Sequence, residues 1–161
     1  MADLHTDRLI LHPIDTDEAE RIIADQPGPQ DSWAHDFPFD GDIIGATMFL
    51  RATTTHGDQH PFGHYVIIRS ADGLAVGGTG FKGQPEDGTV EIGYGLAPSA
   101  RGEGFAAEAA RALVDLAVEE GMSRVVADTN KDNTASQRTL EHAGFTKTGV
   151  NGDLLLYELN I

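Results

Sequence analysis

A glycine-rich turn joins an apolar strand to an alanine-rich helix in the segment Gly95-Leu96-Ala97-Pro98-Ser99-Ala100-Arg101-Gly102-Glu103-Gly104-Phe105-Ala106-Ala107. A junction of this kind leaves the first N–H groups of the helix without intrahelical partners. It also aims the positive end of the helix dipole at whatever lies before it. The segment therefore reads as a receptor for a phosphate or pyrophosphate. Beyond it, Phe105, Ala109, Leu113, Leu116 and Ala117 recur at helical spacing, so the helix runs to about Glu120 and stops at Gly121.

The rest of the chain alternates strand and helix patterns. Arg8–Ile14 alternates apolar and polar residues as a strand, and Asp15 or Thr16 is placed to cap a short helix over Asp17–Ala24. Gln26–Asp42 is rich in Pro, Gly and Asp and carries Trp33, Phe37 and Phe39, which reads as an ordered loop; a helix follows over Ile43–Thr54. Three strands, Gly63–Ser70, Leu74–Lys82 and Thr89–Leu96, are separated by turns that end in Asp-Gly, the pattern of an antiparallel meander. Ser123–Asp128 is a strand and Thr134–Ala143 a helix. Phe145–Val150 and Leu154–Asn160 make a last hairpin through Asn151-Gly152, read as a type I′ turn. The order β-α-α-β-β-β-α-β-α-β-β predicts one mixed α/β domain over residues 1–161, with helices on both faces of a sheet.

Composition narrows the chemistry. Without cysteine there are no disulfides, thiolate metal sites or cysteine nucleophiles. An excess of 26 acidic over 11 basic residues argues against nucleic acid or an anionic membrane as partner, and suits cationic substrates. No long apolar run and no leader pattern is evident, so a soluble, cytoplasmic protein is the expectation. The histidines are scattered; His56 and His60 share helical spacing, but Gly57 and Pro61 break a helix there, so no metal site is expected.

Two phosphate-binding patterns overlap at the turn. Gly102-Glu103-Gly104-Phe105-Ala106-Ala107 satisfies the dinucleotide fingerprint G-x-G-x-x-A, with Asp128 ending the next strand as a ribose-binding acid would. The context is wrong for it, because five residues separate strand and first glycine and the strand is entered from a meander. The competing pattern is Arg101-x-x-Gly104-x-Ala106 after Leu96-Ala97-Pro98. With Thr6-Asp7-Arg8-Leu9-Ile10-Leu11, Glu91-Ile92-Gly93-Tyr94, Asn133-x-x-Ser136 and Gly144-Phe145 in the same order, the chain resembles the GNAT superfamily of acyl-CoA N-acyltransferases. The branch it is most similar to contains the ribosomal-protein alanine N-acetyltransferases and related small-molecule enzymes.

That resemblance implies a central mixed, mostly antiparallel sheet of about seven strands, splayed at its middle and flanked by about four helices. It implies acetyl-CoA as co-substrate. The diphosphate would lie on the N–H groups of Arg101, Gly102, Glu103, Gly104, Phe105 and Ala106, the pantetheine arm beside Leu96 and Ala97, and the sulfur near Asn133 and Ser136. The implied acceptor is a small-molecule amine or a peptide N-terminus, and the implied state is a monomer or homodimer. Acetyl transfer to an amine requires a neutral amine, a stabilised oxyanion and a protonated leaving thiolate. Glu91, on the strand leading into the turn, is the candidate base through a water, with Asp153 as a second carboxylate. Many GNAT enzymes place a tyrosine acid seven residues after the motif asparagine; here that position is Leu140, which leaves Ser136 as the candidate acid, with Tyr94 and Tyr157 as substitutes. A GNAT fold that binds acyl-CoA as a sensor or scaffold, without turnover, is the alternative.

Overall fold

The computed structural model describes residues 1–161. In chain order the elements are β1 (Leu4–His5), β2 (Leu9–Pro13), α1 (Thr16–Ala24), α2 (Asp40–His56), β3 (His64–Arg69), β4 (Leu74–Phe81), β5 (Thr89–Leu96), α3 (Phe105–Glu119), β6 (Arg124–Asn130), α4 (Thr134–His142), β7 (Thr146–Asn151) and β8 (Leu154–Asn160), with a 3₁₀ turn at Pro98–Ala100 before α3. The eight strands form one sheet in the order β1-β2-β3-β4-β5-β6-β8-β7. Every pairing is antiparallel except β5 with β6. The strand missing from the sequence reading is β1, whose two residues are too few to show an alternating pattern.

Local chemistry accounts for the helix boundaries. Asp15 accepts from the Glu18 N–H while Glu18 accepts from the Asp15 N–H, a reciprocal capping box that starts α1. The start of α2 lies three residues before the expected Ile43, because the Asp42 carboxylate folds back onto the Phe39 N–H at 2.8 Å. The final hairpin also differs from expectation. Asn151 pairs with Leu154, so the turn residues are Gly152 and Asp153. Only Gly152 has a positive φ, which fits type II′ rather than type I′.

The core lies in two layers. Strand β4 is buried along almost its whole length, which demands cover on both faces. One face is covered by α1 and α2 packed on each other, the other by α3 and α4. The apolar stripe of α3 (Phe105, Ala109, Leu113, Leu116, Ala117) is buried throughout, and its alanines let the helix lie close on β5 and β2. None of the helices is long and apolar enough to cross a membrane.

Candidate active site

The sheet opens at its centre. Strands β5 and β6 pair only at Thr89–Arg124, Val90–Val125 and Glu91–Val126. Beyond these they diverge, each held by its other neighbour: β5 stays on β4 to Leu96, and β6 stays on β8 to Asn130. Glu91 O accepts from Lys82 N and Ala97 N donates to Val76 O, so alternate residues of β5 spend their main-chain groups on β4. By the same alternation the main-chain groups of Tyr94 and Leu96 face the gap together with the Ile92 carbonyl, while the Ile92 N–H closes the last ladder step onto Val126. Of the two positions expected to meet a cofactor arm, Leu96 thus faces the opening, whereas the N–H of Ala97 is committed to β4.

At the end of the gap the turn forms a ring of main-chain donors. The N–H groups from Gly102 to Ala107 find no acceptor within the chain, and α3 has no side-chain cap. Gly102 and Gly104 hold φ of 87° and 82°, left-handed values that curl these donors around one point. Arg8 fixes the turn from below. Its guanidinium bonds to the Glu103 carbonyl and to Glu108, both at 2.8 Å, and lies 4.6 Å over the Phe105 ring. Burial raises the Glu108 carboxyl, but bonds from Thr6 and Arg8 outweigh this and hold it below the usual carboxylate range. On the other flank, Arg101 donates to the Leu96 carbonyl at 3.1 Å and lies over Phe39, while Asp36 accepts from the N–H and hydroxyl of Ser99. The Trp33–Phe39 loop therefore braces the turn. Its aromatic rings do not line the central cavity.

That cavity, about 370 Å³, passes from beneath α2 through the gap to α4. Its floor is unusual: Gly78 pairs with Gly95 and Gly80 with Gly93, so four glycines form a two-by-two block on one face of β4 and β5. A Cβ at Gly93 would meet the Lys82 stem at 2.8 Å, and one at Gly78 would meet His64 at 2.8 Å and Asp42 at 2.9 Å. The glycines thus let Lys82 cross β5 and let the His64 imidazole lie between α2 and β4. Burial holds His64 down at about 4, so it is neutral near pH 7.

Asp42 is 4% exposed and its Oδ1 has no hydrogen-bond partner. Burial pushes its carboxyl up to about 6, against the opposing Phe39 N–H. The folded state therefore favours the protonated form. Asp42 leaves stability intact below about pH 4, erodes it as pH rises to about 6, and costs about 3 kcal/mol above that. Asp42→Asn keeps the bond to Phe39 and removes the buried charge. We expect it to raise the melting temperature by several degrees at pH 7 and to leave it unchanged at pH 4, measured by calorimetry at both.

Reactive side chains meet where the cavity enters the gap. The Tyr94 hydroxyl lies 2.8 Å from Ser136 Oγ, and Ser136 N donates to Asn133, which caps α4. Burial pushes the Tyr94 hydroxyl up to about 12, with Ser136 opposing, so it holds its proton at neutral pH. Opposite, Lys82 Nζ is 3.8 Å from both Glu91 and Asp128. Burial raises the Glu91 carboxyl; Lys82 lowers it and the neighbouring Asp128 raises it further. Asp128 lines the cavity, but Glu91 lines a surface trough with Glu86, Asp87 and Arg124, and Lys82 lines both. Asp153 is exposed and pairs with Lys131, outside the cavity, and Leu140 is fully buried core. No group of three or more His, Cys, Asp or Glu side chains is arranged to hold a metal.

Sequence reasoning missed the glycine block, Arg8 as the brace of the turn, and Asp128 in this role. A signal for the first was present: Gly77-Gly78-x-Gly80 and Gly93-x-Gly95 sit inside strands, where glycine is costly unless something approaches the backbone closely.

An opened mixed sheet with a ring of free N–H groups at the strand-to-helix junction defines the GNAT type of fold. The acetyltransferase (GNAT) domain family matches residues 8–146, and the chain belongs to that family. A curated relative, the uncharacterized N-acetyltransferase YjdG of Bacillus subtilis (strain 168), is 42% identical over 86 residues, so the match spans about half of each chain. In fold, the chain is similar to a putative GNAT-family acetyltransferase from Bordetella pertussis (TM-score 0.67, 27% identity, 98% of this chain and 99% of that one). It is likewise similar to a ribosomal L7/L12 alpha-N-protein acetyltransferase solved in complex with coenzyme A (TM-score 0.70, 19% identity, 99% of this chain and 98% of that one).

Proposed function

We propose that the protein is an acetyl-CoA-dependent N-acetyltransferase that moves the acetyl group directly to a primary amine. The observation that carries this reading is the alignment of the free N–H ring at Gly102–Ala107 with the gap beside Ile92, Tyr94 and Leu96. Acetyl-CoA supplies the reactive thioester carbonyl. Main-chain donors and the α3 dipole hold its diphosphate. The Tyr94 N–H faces the gap, where an oxyanion would develop. The amine enters under α2 and gives its proton to Asp128, which is coupled to Glu91 and balanced by Lys82. As the C–N bond forms and the C–S bond breaks, Tyr94, hydrogen-bonded to Ser136, supplies a proton to the departing sulfur and is reprotonated by the second proton that the nitrogen loses on becoming an amide. The tyrosine missing at Leu140 is thus replaced by one on β5.

Acetyl-CoA and a panel of amines and N-terminal peptides, followed by mass spectrometry, test the reading. Transfer of one acetyl group to an amine, with free CoA released in equal amount, is expected. Tight acetyl-CoA binding without product from any acceptor would instead establish a sensor or scaffold.

A further inference from the structure

We propose that the acceptor is a small primary amine with a flat, apolar body that lies against Gly95 beneath α2. This rests on reading the cavity as the acceptor side of an acetyltransferase. The floor is the first reason. Gly78, Gly80 and Gly93 are bare because His64, the Gly63 carbonyl and the Lys82 stem stand against them. Gly95 is different: a Cβ there would meet nothing within 4 Å, and its φ is not left-handed. Neither packing nor backbone conformation asks for glycine at that position. Glycine in a central strand costs about 0.5–1 kcal/mol relative to alanine. The space it keeps open belongs to the cavity, a narrow strip of bare backbone bounded by the Lys82 stem over Gly93 and His64 over Gly78. Such a slot suits a flat ring better than a branched chain.

The walls agree. Phe49 and Phe62 line the cavity, and Ile44 and Met48 of α2 are 60% and 46% exposed at its edge. Apolar side chains left in water around a cavity are the usual lining of a site for an apolar molecule. The charged side chains of the lining are Asp128 and Lys82, 3.8 Å apart, and Tyr94 and Ser136 line the same cavity. A ring against Gly95 would leave its amine tail to reach Asp128 in the same cavity. The net charge of −15 also draws cations.

A peptide fits less well. Held in an extended form it needs strand edges to pair with. Strand β4 is paired on both sides, by β3 and β5, and the free edge of β5 faces the gap that the cofactor arm would fill. At about 370 Å³ the cavity lies near the lower limit for small-molecule sites.

The test compares 2-phenylethylamine, propylamine and an alanine-terminated tetrapeptide as acceptors, for the native protein and Gly95→Val. The aryl amine is expected to have the highest kcat/KM, by about tenfold or more. Gly95→Val is expected to raise its KM by about tenfold or more while leaving the acetyl-CoA Kd within about twofold. A melting curve checks the fold, and Gly95→Ala replaces the variant if the valine unfolds it. Equal or better turnover of the peptide, or an unchanged KM in the variants, overturns the proposal and leaves the acetyltransferase reading standing. Equilibrium binding of 2-phenylethylamine to CoA-free and CoA-saturated protein separates the two ideas. Binding without turnover of any acceptor keeps the slot and sinks the transferase, and no binding in either form sinks the slot.

Discussion

Gly104→Val is expected to weaken acetyl-CoA binding about 100-fold, equivalent to about 2.7 kcal/mol. Space is not the obstacle, since a Cβ at this position would meet only Arg8 Nη2, at an ordinary 3.5 Å. The obstacle is the φ of 82°, which a β-branched residue adopts only under strain of about 1–3 kcal/mol. To relieve it the turn would swing away from the left-handed region and turn its N–H groups off their common point. Losing one or two hydrogen bonds to a charged phosphate costs about 1.5–3 kcal/mol each. Gly104→Asn provides the control, because asparagine tolerates the left-handed region; a loss below about tenfold is expected there. Calorimetric titration with acetyl-CoA measures both, and the turn's exposure means that far-ultraviolet dichroism should show the fold intact. Unchanged affinity in the valine variant would remove this turn from the cofactor site.

Asp128→Asn is expected to lower kcat about 100- to 1000-fold if Asp128 receives the amine proton, within the range that general base catalysis supplies. An alkylamine with pKa near 10.4 costs about 5 kcal/mol to neutralise at pH 7, so a carboxylate beside it matters. Glu91→Gln is expected to cost less, because Glu91 opens on the outer trough and Asp128 on the cavity. The pH profile separates a proton role from mere packing. Asp128 is one of the charges that raise Glu91, so removing it should lower the Glu91 pKa and move the acid limb of kcat/KM to lower pH. An acid limb that stays in place, with kcat within a few-fold of native, would make the pair structural.

Both predictions concern residues that the sequence exposes unequally. The turn from Arg101 to Ala106 was legible because strand, glycine turn and helix are consecutive and their chemistry is local. Glu91 stood out for the same reason, as a carboxylate on the strand entering that turn. Its alternation with Val90 and Ile92 says that it faces away from them, but not whether that direction meets a cavity or solvent. Asp128 was visible only as the end of a later strand. It becomes a cavity residue because β5 and β6 stop pairing two residues earlier, at Val126. Tyr94 and Ser136 are 42 positions apart, and their 2.8 Å contact depends on α4 packing over the gap.

The amino-acid order alone determined most of the strands and helices and the glycine turn that opens α3, because each is decided by residues a few positions apart whose backbone preferences act together. Tertiary structure decided which strand pair opens, which carboxylate lines the cavity and that Gly78 and Gly80 lie opposite Gly95 and Gly93. Those outcomes depend on strand register and on helices closing over distant strands. Contacts between residues far apart in the chain are set by burial of the whole core, and no short stretch of sequence carries that information.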